Sequence, residues 1–119
     1  MTTILKLDFL PCDLNKYIHA MNSNRFAGAK IKREDTEAVY WACQTQGLQP
    51  IKGRVHIDFL WRVKNKRKDP DNISYSKKSI LDGLVMAHVL DNDGWDDISS
   101  FTDSFLIGSE GVTVTIQQL

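Results

Sequence analysis

Two carboxylates flank a proline at Asp69-Pro70-Asp71-Asn72. Proline fixes its own φ and drives the residue before it into extended backbone. Residues two apart in extended chain point the same way, which predicts that Asp69 and Asp71 converge on one point. Carboxylates held that close repel unless a cation sits between them. Hard oxygen ligands from one or two carboxylates, with waters completing the shell, are what Mg²⁺ takes. The same four residues also read as an Asx turn, with Asn72 capping a following helix.

Cations and further acids surround this tetrapeptide. Arg62, Lys64, Lys66, Arg67 and Lys68 fall within seven residues just before it, a run that suits either a solvated face or phosphate contacts. Lys77 and Lys78 follow, and Lys78 precedes Asp82 by four, the spacing of a helical ion pair. Asp91, Asp93, Asp96 and Asp97 form a second acidic cluster. Asp91-Asn92-Asp93-Gly94 is not a calcium loop. Counted from Asp91, position five is Trp95, the glycine falls at four, and position twelve is Thr102 instead of Glu. His19, His56 and His88 have no second His or Cys at ligand spacing and read as structural or surface residues.

Fifteen Lys and Arg balance fifteen Asp and Glu over 119 residues, and a net charge of zero argues against a uniformly basic nucleic-acid binder. The average conceals a division. Residues 1–78 hold all fifteen cations with eight acids, a balance of +7, whereas residues 79–119 hold seven acids and no Lys or Arg, a balance of −7. Length and mixed composition predict one domain, residues 1–119, with no repeat, linker or membrane span. The first residues lack a basic leader followed by a long apolar stretch. Cys12 and Cys43 lack metal-type spacing, and the expectation is reduced thiols in a cytoplasmic protein.

The elements that must position these residues follow from periodicity. Ile4–Leu10 alternates and reads as a strand ended by Pro11. A short helical piece, Leu14–Met21, precedes the turn-prone Asn22-Ser23-Asn24. A longer helix is expected from about Arg33 to Gln46, with Ala38, Trp41, Ala42 and Thr45 at helical spacing and Gly47 as C-cap. Arg54–Val63 alternates most cleanly and predicts a central strand with Val55, Ile57, Phe59, Trp61 and Val63 on one face. A helix over about Ser74–Ala87 carries Ile80, Leu81, Leu84 and Val85 on one stripe. Strands at about Phe101–Ile107 and Val112–Gln118, joined by Gly108-Ser109-Glu110-Gly111, predict a hairpin. The order β-α-β-α-β-β implies an α+β fold, a mixed β-sheet with helices packed on it.

The stretch KRKDPDNISYSKKSILDGLVMAHVLDNDGWDDI, Lys66–Ile98, resembles the core of the RusA-type Holliday junction resolvases, small endodeoxyribonucleases of phages and prophages. Their pattern is a basic stretch, D-x-D-N, a helix with Lys four residues before an Asp in an L-D-x-L context, and a further Asp beyond that helix. Here Lys78 precedes Asp82 within Ile80-Leu81-Asp82-Gly83-Leu84, and Asp93 follows Asp82 by eleven, the family spacing. Leu14-Asn15-Lys16-Tyr17 and Asn24–Lys30 are also similar to phage members. The interval from Asn72 to Lys78 is three residues longer than in the type pattern, which leaves Lys77 a rival for the lysine role. The aligned pair Asn92-Asp93 replaces the frequent Asp-Asp doublet and leaves Asp91 and Asp97 as second choices.

The resemblance implies that Asp69, Asp71 and Asp93 bind Mg²⁺, with Mn²⁺ as a substitute, and that Lys78 is the catalytic lysine. It implies a homodimer that cuts four-way DNA by paired symmetric nicks during DNA recombination and repair, with Arg62, Lys64, Lys66, Arg67 and Lys68 on the flanking backbone. A module that binds branched DNA or a protein partner without cutting is the alternative from a different class.

Overall fold

The computed structural model describes residues 1–119. Along the chain run β1 (Thr2–Leu7), α1 (Leu14–Ser23), α2 (Arg25–Thr45), β2 (Val55–Val63), α3 (Pro70–Ser74), α4 (Lys77–Met86), β3 (Ile98–Ile107) and β4 (Gly111–Gln118). The four strands form one mixed sheet in the order β1-β4-β2-β3. β4 is antiparallel to both β1 and β2, whereas β2 and β3 are parallel. The expected α+β fold and its element order are present, with the helices split more finely than periodicity alone predicts. No helix is long and apolar enough to cross a membrane.

Alternation builds the core as expected. Val55, Ile57, Phe59 and Trp61 of β2 are buried on the face that the helices cover, beside Val112, Val114 and Ile116 of β4 and Leu5 and Leu7 of β1. From the helical layer come Val39 and Cys43 of α2 with Ile80, Leu81 and Leu84 of α4. α2 and α4 approach closely at Gly83, where an added Cβ would stand 2.5 Å from Val39 Cβ. The glycine is required by that contact.

The expected hairpin does not form. Residues 108–110 do connect β3 to β4, but β2 lies between the two strands. The connection crosses the end of β2, where the Gly108 amide donates to the Val63 carbonyl at 2.9 Å. Burial accounts for the choice. Val112, Val114 and Ile116 have no exposed surface and take apolar neighbours on both sides, from β1 and from β2. β3, less buried throughout, takes the sheet edge.

Helix boundaries also depart from periodicity. Asn24 in extended backbone ends α1 and caps α2, its Oδ1 accepting from the Phe26 amide at 2.8 Å. The turn signal therefore costs one residue, and α2 begins at Arg25 instead of about Arg33. Gly47 adopts φ 68° after α2, and the Leu48 amide returns to the Cys43 carbonyl at 3.1 Å, the expected glycine C-cap. Trp41 is 64% exposed, so the inward stripe is Val39, Ala42 and Cys43 instead of the one through Trp41. The helix expected over Ser74–Ala87 breaks at Tyr75-Ser76. Buried Ser76 donates its hydroxyl to the Pro11 carbonyl at 2.7 Å, tying the break to the loop after β1.

Candidate functional site

The break before α4 places Lys77 and Lys78 in that helix's first turn, and successive helical residues diverge by about 100°. Lys78 reaches outward, 3.1 Å from Asp82 Oδ1 and 3.5 Å from Asp93 Oδ2. The first contact is the expected i,i+4 pair, and the second joins α4 to the loop before β3. The hydrogen bond that Lys78 donates to Asp82, with Asp93 adding its charge, outweighs burial and raises the Lys78 ammonium above its usual 10.5. Asp82 also has Lys32 of α2 at 3.8 Å. Lys77 takes the other direction. Its ammonium lies 2.8 Å from Asp103 Oδ2 and over the rings of Phe59 and Phe101. The other Asp103 oxygen accepts from the Trp61 indole at 2.9 Å.

Asp69 is extended at φ −73°, ψ 151°, and Pro70 opens α3 directly after it. Asp69 takes the extended backbone that its proline requires, whereas Asp71 lies in the first turn of α3, so the two carboxylates are joined through a helix start instead of through continuous extended chain. Asp71 Oδ1 accepts from the following Asn72 amide at 2.9 Å. Asn72 is no cap. It lies inside α3, is buried, and its Oδ1 accepts from the Asn15 amide at 2.8 Å, fastening the acidic turn to the start of α1. A second fastening comes from Lys68, whose ammonium pairs with buried Asp13 Oδ2. Asp13 Oδ1 in turn caps α1 by accepting from the Lys16 amide at 2.9 Å. Burial pushes the Asp13 carboxyl up, but Lys68, the Lys16 amide and Asn72 outweigh it and hold the group below its usual 3.8.

Asp69 and Asp71 are exposed and have no cation partner, whereas Asp93 is half-buried and engaged by Lys78. The three do not form one ligand cluster. As hard oxygen donors, Asp69 and Asp71 suit a Mg²⁺ that keeps several waters. Asp91 and Asp96 are exposed, and Asp97 is half-buried where its carbonyl accepts from the Val55 amide at 2.9 Å.

The basic run divides. Lys66 and Arg67 are exposed with no acidic partner, and exposed Lys64 has only Glu110 at 3.8 Å. Arg62 lies flat on the sheet, donating to Thr113 Oγ1 at 2.8 Å, to the Ser109 carbonyl at 3.3 Å and to the Leu7 carbonyl at 3.4 Å. Gly111 leaves room for that guanidinium, since an added Cβ would stand 2.6 Å from its Nη2. Lys64, Lys66 and Arg67 are therefore the cations available to an external anion, with Lys68 shared with Asp13.

No family model and no curated protein matches the chain. The site therefore rests on its own geometry.

A groove of about 300 Å³ runs between two walls at the C-terminal ends of β2 and β3. One wall holds Lys66, Lys68, Asp69 and Pro70, and the other holds Phe105, Leu106 and Ile107. Sequence reading missed Asp13 and the burial of Asn72, since both act through partners more than fifty residues away. It also missed that the end of β3 faces Asp69, which depends on β3 lying beside β2 instead of beside β4. The two thiols, Cys12 and Cys43, are not paired with each other. Both are free, and burial raises both, Cys43 to about 11.

Proposed function

We propose that the chain is a metal-dependent, structure-selective endodeoxyribonuclease of the RusA type. On this reading it works as a homodimer and nicks four-way DNA at two symmetry-related positions by phosphodiester hydrolysis. One observation carries the reading. The Lys78 ammonium is fixed between Asp82 and Asp93 at the start of α4, and the exposed pair Asp69 and Asp71 opens the helical segment just before it. Lys66 and Arg67, free of acidic partners, precede the same turn.

In this reading Asp69 and Asp71 would hold Mg²⁺ or Mn²⁺, with Asp93, which pairs with Lys78 in this structure, as the third carboxylate. Such an ion would supply charge stabilisation at the phosphoryl oxygens and would lower the pKa of a water that it holds. Lys78, kept protonated by Asp82 and Asp93, offers its positive charge to the oxygens that gain charge in the transition state. Lys64, Lys66 and Arg67 hold the DNA backbone beside the cut. The division of charge along the chain supports this reading, because cations flank an acidic centre that alone would repel phosphate.

The test is cleavage of a synthetic mobile four-way junction with Mg²⁺ and with EDTA. Symmetric nicks that require the metal support the proposal. The second reading, a module that binds branched DNA without cutting it, is favoured by the failure of the three aspartates to gather in one cluster. Junction binding with no cleavage at any divalent ion would establish it in place of the first.

A further inference from the structure

β3 is a sheet edge with little of the usual protection, its one irregularity a register shift at Ser99 near its start. Its ten residues, ISSFTDSFLI, pair with β2 on one side alone. Natural edges are blunted by lysine, proline, bulges or shortness. Residues 98–107 contain no Lys, Arg or Pro, and their one charge, Asp103, is already neutralised by Lys77. Four large apolar side chains stand out from the strand: Phe101 at 41%, Phe105 at 38%, Leu106 at 43% and Ile107 at 50% exposure. Phe101, Phe105 and Ile107 are in register with Ile57, Trp61 and Val63, so they extend the helix-covered face to the sheet edge, where of the three Phe101 has Lys77 of α4 over its ring. Leu106, beside Arg62, lies on the open face.

We infer that β3 pairs antiparallel with β3 of a second copy of this chain, joining two four-stranded sheets into one of eight strands. The inference deepens the dimer proposed above and rests on that reading for its choice of partner. The strand itself argues for self-pairing. With the two-fold axis at Asp103, Phe101 lies opposite Phe105 of the partner subunit on the same face, giving two aromatic cross-strand pairs. Leu106 lies opposite Ser100 of the partner subunit on the open face. Asp103 meets its own copy, and each carboxylate keeps its Lys77 ammonium and Trp61 indole. With no other charge on either strand, nothing else repels an identical edge. A standard interface covers roughly 800 Å² on each partner, about a tenth of this chain's 7220 Å² surface. A lone strand edge falls short of that area. The groove lined by Phe105, Leu106, Ile107 and Asp69 adjoins the strand and supplies the neighbouring surface. The second copy then walls the groove that holds Asp69.

The test is light scattering on the metal-free, DNA-free chain from micromolar to hundred-micromolar concentration. The expected mass is twice 13.6 kDa. Leu106→Lys, on the open face away from the core, should weaken the dimer about tenfold or more while leaving the circular dichroism unchanged. Chains carrying Thr102→Cys, mixed with chains carrying Ser104→Cys, should form a disulfide-linked heterodimer, because residues 102 and 104 face each other across the axis. A monomer throughout overturns the inference, as does a dimer that ignores Leu106→Lys and yields no cross-link. Nuclease activity is scored separately. Metal-dependent cutting by a monomer overturns the interface and leaves the nuclease reading standing. A β3-paired dimer that cuts no junction supports the interface and removes the nuclease reading.

Discussion

Lys77 Nζ lies 2.8 Å from Asp103 Oδ2, although the next residue, Lys78, reaches Asp82 and Asp93 instead. Adjacent lysines thus serve the sheet and the site separately. Lys77→Ala should leave Asp103 short of a partner and lower stability by about 1–2 kcal/mol, with cleavage per folded molecule nearly unchanged. Lys78→Ala should remove most cleavage and leave the thermal midpoint close to wild type. Single-turnover rates beside thermal melts check both. Reversed effects would assign the site to Lys77.

Asp71→Asn should abolish cleavage while junction binding survives or tightens, because removing a negative charge does not weaken attraction for phosphate. Asp69→Asn should behave alike. Gel-shift affinity and cleavage rate, measured on the same samples, separate the two effects. Metal-dependent cutting at the wild-type rate by both variants would remove these carboxylates from the site.

The basic run should divide in function as it does in contacts. Lys66→Ala with Arg67→Ala should lower junction affinity and flatten its logarithmic salt dependence by about one per cation removed. Arg62→Ala should leave the salt slope unchanged and instead destabilise the fold, since its guanidinium holds Thr113, Ser109 and Leu7. An equal fall in slope for Arg62→Ala would show that it leaves those partners for DNA.

Two titrations carry opposite pH signatures. The Asp13 carboxyl lies below 3.8, so its pairing contributes fully above that value and is lost as pH falls through the folded value. In Lys68→Met, burial of Asp13 is opposed less, and acid unfolding, followed by tryptophan fluorescence, should begin at higher pH. The Lys78 ammonium lies above 10.5, so its pairs persist through neutral pH and are lost only in stronger base. Cleavage should therefore show no falling limb from Lys78 below about pH 10. An unchanged acid midpoint in Lys68→Met, or such a limb that vanishes in Lys78→Arg, would contradict these assignments.

The central strand was legible because its alternation is local, and so was the Gly47 cap. The i,i+4 pair of Lys78 and Asp82 was legible from spacing alone. The extended backbone at Asp69 was legible, but the helix at Asp71 was not. Proline constrains the residue before it, but it also opens helices well, and here the helix takes over at Pro70. The contacts Asn72–Asn15 and Lys68–Asp13 were hidden because no periodicity encodes partners that far apart. The glycine-rich connection after β3 has a hairpin's composition, yet strand burial decided which neighbours pair.

That last arrangement has a kinetic consequence. β3 and β4 flank β2 without touching, and β4 separates β1 from β2, so every strand pair closes a long loop. No zipping of a local hairpin can nucleate this sheet. Loop-closure entropy must be met before the long-range pairings return anything. Refolding is expected on the millisecond-to-second scale of non-local topologies, well above the microseconds of helical bundles. During that interval the apolar face of β2 waits for β4, and aggregation during refolding should rise steeply with protein concentration.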